Sequence, residues 1–158
     1  MYAVRQLQSD KIISLENVSV ISLDLVRNRV VFNFMNNINT VGRWTPDYHY
    51  FDYETIEDAI DAFESLISTP YVKLNFFISE NAENKEIVNK NAITTITILE
   101  DDLRIIFNLN FSITSYDRKR NNNPVEISKF VFWNYDNVDI FEDDSLEINE
   151  AFSNTIEI

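Results

Sequence analysis

One stretch constrains this chain more than any other. Residues 19–38, SVISLDLVRNRVVFNFMNNI, return without a gap as residues 94–113, TTITILEDDLRIIFNLNFSI. At that spacing of 75 residues, Ile21/Ile96, Arg29/Arg104, Phe32/Phe107, Asn33/Asn108 and Ile38/Ile113 are identical. Ser19/Thr94, Leu23/Ile98, Val30/Ile105, Val31/Ile106 and Phe34/Leu109 are close pairs. Internal similarity at a fixed spacing points to one structural unit used twice. The residue types, β-branched and aromatic around the polar turn Val26-Arg27-Asn28, point to a β-hairpin.

Alternation sorts the return strand into two faces. Val30, Phe32, Phe34 and Ile38 share one face, and Arg29, Val31, Asn33, Met35 and Asn37 the other. The second copy sorts Ile105, Phe107, Leu109, Phe111 and Ile113 against Arg104, Ile106, Asn108, Asn110 and Ser112. One face is expected to be core and the other mostly polar. After a Gly-containing loop, residues 48–53 (YHYFDY) form an aromatic strand whose counterpart is residues 130–135 (FVFWNY), now 82 residues on.

A helix is expected next. Thr55-x-x-Asp58 resembles a capping box, Ile56, Ala59, Ile60, Phe63, Leu66 and Ile67 fall at helical spacing, and Pro70 ends the run. In the second copy Asp144-x-x-Glu147 is the expected cap, with Ile148, Ala151, Phe152 and Ile156 inward and residues 137–143 left as an acidic connection. Residues 71–79 are read as the opening strand of that copy, followed by a strand near 87–88. The expected architecture is α+β: two tandem β-β-β-β-α repeats, residues 1–69 and 70–158. Each antiparallel sheet carries a helix on one face, and the two pair about a pseudo-twofold axis.

Charge and composition narrow the function. The formal net charge is −13, and the chain contains no Cys, one Gly and a single His. Without Cys there are no disulfides or thiolate sites, and one Gly does not build a phosphate-cradling loop. His49 lacks a recognisable nucleophile or orienting group and is expected to pack among the tyrosines. Asp101-Asp102 reads as hairpin-tip turn chemistry and Asp143-Asp144 lacks EF-hand spacing. Neither metal nor cofactor is expected, nor catalysis. No apolar run approaches membrane-spanning length, and the start is unlike a signal peptide, so the expected location is the cytosol. The Ile- and Asn-rich bias resembles proteins of AT-rich genomes such as those of phages or mobile elements.

Acidity is confined to two segments. Asp47, Asp52, Glu54, Glu57, Asp58, Asp61 and Glu64 lie between residues 44 and 72 with no Lys or Arg, and eight acids, including Asp136, Asp139, Glu142, Asp143, Asp144 and Glu147, lie between 130 and 158, again without a base. Such segments project a negative field suited to a basic partner protein. The leading expectation is therefore an inhibitor of anti-defence type, whose carboxylates mimic nucleic-acid phosphates in the channel of a nucleic-acid-handling enzyme or complex. A solvated helix face kept acidic for solubility is the plain alternative.

A second reading uses the sheet. The β-β-β-β-α order resembles the Whirly-like single-stranded DNA-binding proteins, in topology only. That resemblance implies nucleic-acid contacts from Arg29, Asn33, Arg104 and Asn108, with Arg118, Lys119 and Arg120 beside them and aromatic side chains stacking on bases. Cross-strand ion pairing is the structural alternative for Arg29 and Arg104.

Overall fold

Strands form where alternation and β-branching call for them. A computed structural model describes residues 2–7, 9–40, 43–115, 126–152, 156 and 158. Within it the chain is mixed α+β, with antiparallel sheets. The first hairpin is β3 (Val18–Asp24) and β4 (Arg29–Thr40), extended by β5 (Arg43–Asp52). Asp24, buried at the strand end, accepts hydrogen bonds from the backbone N–H groups of Val26 and Arg27 and so shapes the turn. Asn28 completes it with φ of 55°, a left-handed conformation that Asn tolerates better than most residues.

The corresponding second hairpin is β8 (Ile93–Leu99) and β9 (Arg104–Ser115), extended by β10 (Glu126–Asn134). Its pairings match those of the first. Val18↔Phe34, Ile21↔Phe32 and Asp24↔Arg29 in one become Ile93↔Leu109, Ile96↔Phe107 and Leu99↔Arg104 in the other. A bulge falls at Val18/Val20 and again at Ile93/Thr95. Likewise Val30↔Phe51 and Arg29↔Asp52 become Ile105↔Trp133 and Arg104↔Asn134. Leu103, 75 residues after Asn28, also adopts a left-handed conformation, with φ of 48°.

Two expectations about helices change. Residues 71–79 do not open as a strand: α2 (Pro70–Asn75) precedes a two-residue β6 (Phe76–Phe77). Pro70 sits at the helix start, where its fixed φ is favourable and its missing N–H costs nothing. It begins a helix, after α1 (Ile56–Ile67) has ended on Ser68. The second long helix, α3 (Val138–Ala151), is capped by Asn137 and not by Asp144. The Asn137 side chain accepts from the N–H groups of Asp139 and Ile140. Asn137 lies 82 residues beyond Thr55, the cap of α1, which accepts from the Asp58 N–H at 3.1 Å. Phe141, Asp144 and Ile148 turn inward, whereas Ala151, Phe152 and Ile156 are exposed.

The boundary between residues 69 and 70 runs through a sheet. β7 (Glu86–Asn89) pairs with β3, and β6 with β7, giving a five-stranded order β5-β4-β3-β7-β6. The second sheet, β10-β9-β8, has three strands, and β1 (Ala3–Arg5) with β2 (Ile12–Ser14) forms a small hairpin. A short 3-10 turn, Lys90–Ala92, links β7 to β8.

Both faces of the five-stranded sheet are covered, and all seven residues of β3 are buried. One face carries Ile21, Phe32, Phe51 and Ile87 against Ala59, Phe63 and Leu66 of α1. Burying each of the larger side chains contributes roughly 1.5–3 kcal/mol. The opposite face contributes Val20, Phe77 and Val88 to a second core with Phe107, Trp133, Phe141 and Ile148. The two sheets are stitched at β4 and β9. Asn33 Nδ2 donates to the Thr114 carbonyl, and Thr114 N–H and Oγ1 donate to Asn33 Oδ1 at 2.9 and 3.0 Å. Asn37 and Ser112, positions 75 apart, bond reciprocally through Asn37 Nδ2 to the Ser112 carbonyl and Ser112 N–H to Asn37 Oδ1.

Candidate interaction site

The acidic residues do not form one surface. On α1 the buried stripe leaves Glu57, Asp58, Asp61 and Glu64 on the exposed side. Glu57, Asp61 and Glu64 follow one another at helical spacing, with Asp58 alongside. Glu57 and Asp58 sit in the first turn, where the helix dipole favours them. Glu64 is near the C-terminal end, where a carboxylate is disfavoured by about 0.3–1 kcal/mol, and no basic residue occupies the last turn. Among the described residues no Lys or Arg forms an ion pair with any of these four.

The acids around α1 are differently engaged. Asp52 accepts from Arg29 Nε at 2.5 Å, the cross-strand pair dictated by the Arg29↔Asp52 register. Asp47 accepts from Asn36 Nδ2 at 3.3 Å, and Glu54 is exposed. On α3 and before it, Asp136, Asp139, Glu142, Asp143 and Glu147 are exposed. Partial desolvation on α3, then neighbouring Asp144, raise the Glu147 carboxyl above its ordinary value although the residue is exposed.

Asp144 is the exception among the expected surface acids. It is 1% exposed and its carboxylate is fully engaged. Oδ2 accepts from Tyr135 Oη and Ser79 Oγ, both at 2.7 Å, and Oδ1 accepts from the Glu80 N–H at 3.1 Å. This is a clasp that fastens the 79–84 loop to α3. Burial, followed by the Asp144 bond and charge, pushes the Tyr135 hydroxyl far up, with the Ser79 bond opposing. Periodicity carried a hint of this arrangement, since counting from Asn137 as the cap places residue 144 on the inner side.

The helices also lie on opposite sides of the five-stranded sheet, α1 over the Ile21/Ile87 face and α3 against the Val20/Val88 face. The two acidic helices therefore pack in different cores. The signal was available only in three dimensions, because alternate residues of β3 serve the two cores.

The sheet residues separate as well. Asn33 is 0% exposed, committed to Thr114, and is corrected from an outer-face contact to an inter-sheet bond. Arg29 packs its guanidinium 3.9 Å from the Tyr50 ring while pairing Asp52. Arg104 Nε donates to Asn134 Oδ1 at 2.8 Å and lies 6.0 Å from the Phe132 ring. Asn108 is half-buried. Arg118, Lys119 and Arg120 lie outside the described residues. Beside Arg104, Phe130 and Phe132 are 42% and 46% exposed with ring centroids 6.0 Å apart. Their outward direction follows from the inward register of Val131 and Trp133.

His49 is exposed with its ring edge-on to Phe34. Among the described residues no group of three or more His, Asp or Glu is placed to hold a metal ion. No described helix is long and apolar enough to cross a membrane. Comparison with protein-family models, curated proteins and solved structures returns no match.

Proposed function

We propose that this protein is a non-catalytic binder of a basic partner protein and that α1 is the contact. Four exposed carboxylates, Glu57, Asp58, Asp61 and Glu64, share one helix and form no ion pair with a Lys or Arg among the described residues, and this observation carries the reading. A row of carboxylates can stand in for phosphates in a basic channel, so a nucleic-acid-handling enzyme or complex is the partner class, with inhibition by occupancy as the consequence. The α3 acids form a separate surface and are not needed for it.

The test uses a basic nucleic-acid enzyme captured from the native host in low salt. Glu57→Gln, Asp58→Asn, Asp61→Asn and Glu64→Gln together should abolish capture. Glu142→Gln with Asp143→Asn should leave it intact. Equal capture by both variants would sink the assignment to α1.

A second reading is favoured by Phe130 and Phe132 beside Arg104 on the open face of β8–β10. There a single-stranded nucleic acid would stack on the rings. Oligo(dT) anisotropy that falls with salt and disappears in Phe132→Ala/Arg104→Gln would promote it above the first.

We infer further that residues 1–69 and 70–158 are duplicated units paired about a pseudo-twofold axis. Support comes from the matching registers, the two left-handed turn residues and the reciprocal Asn37/Ser112 bonds. The chain exchanges material across that boundary, because β6 and β7 complete the first sheet.

A further inference from the structure

The two hairpin units differ at one edge. β3 is flanked by β4 and by β7, with Val20↔Val88, Ile21↔Ile87 and Ser22↔Glu86 in antiparallel register. The matching positions on β8 are Thr95, Ile96 and Thr97, and among the described residues β8 pairs with β9 alone. An antiparallel strand directs alternate N–H and C=O groups to each side, so among the described residues β8 presents an open ladder. Proteins ordinarily guard such edges with charge, Pro, bulges or short length.

Other outer strands carry those guards. β5 contains Pro46 and Asp47, β10 contains Lys129 and a bulge, and β6 has two residues. β8 reads Ile-Thr-Thr-Ile-Thr-Ile-Leu, with no charge and no Pro; its bulge lies at the start, between Ile93 and Thr95, and the strand is regular from Thr95 to Leu99. None of its seven residues is buried. The same edge of β3 is filled by an antiparallel strand within the molecule itself.

We propose that the β8 edge pairs antiparallel with the β8 edge of a second copy of this chain, merging two three-stranded sheets about a twofold axis at Ile96. Thr95 of each copy then opposes Thr97 of the other, and Ile96 opposes its own counterpart. Self-complementarity selects a second copy over a foreign strand: a twofold places uncharged residues against uncharged residues along the whole pairing. A chain of net charge −13 repels its copies through its acidic segments, and this edge adds no charge to that repulsion. Antiparallel pairing also sends the acidic tips, Glu100 to Asp102, to opposite ends. Each approaches the turn of the other copy that carries Lys90.

Light scattering on the full chain should give twice the 18.6 kDa chain mass. Thr95→Lys/Thr97→Lys places like charges opposite each other twice per interface and weakens association by roughly tenfold, as does Thr95→Glu/Thr97→Glu. Mixing the two variants restores the double mass, because unlike charges then face. Hydrogen exchange on the unmodified chain gives an independent reading, with alternate β8 amides gaining protection as concentration rises. A monomeric wild type, charged variants that remain dimeric, a mixture that stays monomeric, or β8 exchange indifferent to concentration would each overturn the proposal.

Discussion

The β3–β4–β5 and β8–β9–β10 units share pairing, bulge position and turn conformation, yet they live in different surroundings. Val31 is fully buried, and its counterpart Ile106 is half-buried. Asn33 is locked to Thr114, while Asn108 remains half-exposed. Ser22 is buried and Thr97 exposed. Similar backbones therefore met different neighbours. The first unit has its second face covered by the rest of the molecule, and the second unit keeps that face for solvent or for a partner. Both faces keep similar residues, Arg29/Arg104 and Asn33/Asn108 among them, so the two units differ less in sequence than in what covers the outward face.

The helices extend the contrast. Thr55 and Asn137 cap α1 and α3 at a spacing of 82 residues, and at that spacing Ala62 corresponds to Asp144 and Tyr53 to Tyr135. Where α1 packs an alanine, α3 buries a carboxylate that grips Tyr135, Ser79 and Glu80.

The largest effects should be the shared ones. Phe32 and Phe107 are both fully buried and meet Phe51 and Trp133 edge-on. Phe32→Ala and Phe107→Ala should each cost about 3–5 kcal/mol in urea unfolding. A twofold difference between them would show that the two cores are not equivalent.

Asp144→Ala should come next, at about 2–4 kcal/mol, because it strands three donors in a buried site. Asp144→Asn should recover part of that loss, since its amide oxygen can still accept. A neutral Asp144→Ala would mean that the clasp contributes no stability.

The outward faces should then diverge. Val31→Ala should cost about 2 kcal/mol and Ile106→Ala about 1 kcal/mol, following burial and not side-chain size. Equal losses would show that the second unit's outer face is covered in solution.

The smallest effects depend on pH. Burial raises both tyrosine hydroxyls above their ordinary 10.0, that of Tyr53 by burial and that of Tyr135 by burial and Asp144. A raised folded value means the unfolded chain releases its proton first, so stability holds below pH 10.0 and falls as pH rises beyond it. Tyr135→Phe should remove more of this alkaline loss than Tyr53→Phe. Glu147 follows the same sign lower down, with stability falling as pH rises through its ordinary 4.5 and onward. Glu147→Gln should flatten that slope, and thermal melts across the range would register it.

Much of the secondary structure was legible. The return strand at residues 29–40 follows from alternation, and α1 from the Thr55 cap and its apolar spacing. Residues 71–79 read as a strand because YVKLNFFIS is β-prone in composition, but Pro70 preorganises a helix there. The start of α3 was obscured because its inward stripe includes a carboxylate, which hydrophobic periodicity does not count.

The sequence by itself determined the two hairpins, the alternation of their return strands and the position of α1 with its acids. These depend on residues near one another in the chain and on the two-residue alternation of strands. Tertiary structure alone decided that β7 joins β3, that α1 and α3 lie on opposite sides of one sheet, and that Asn33 and Asp144 are interior. Each of those outcomes rests on contacts between segments far apart in sequence. A polar side chain records its hydrogen-bonding capacity in its identity, but not which distant partner will satisfy it.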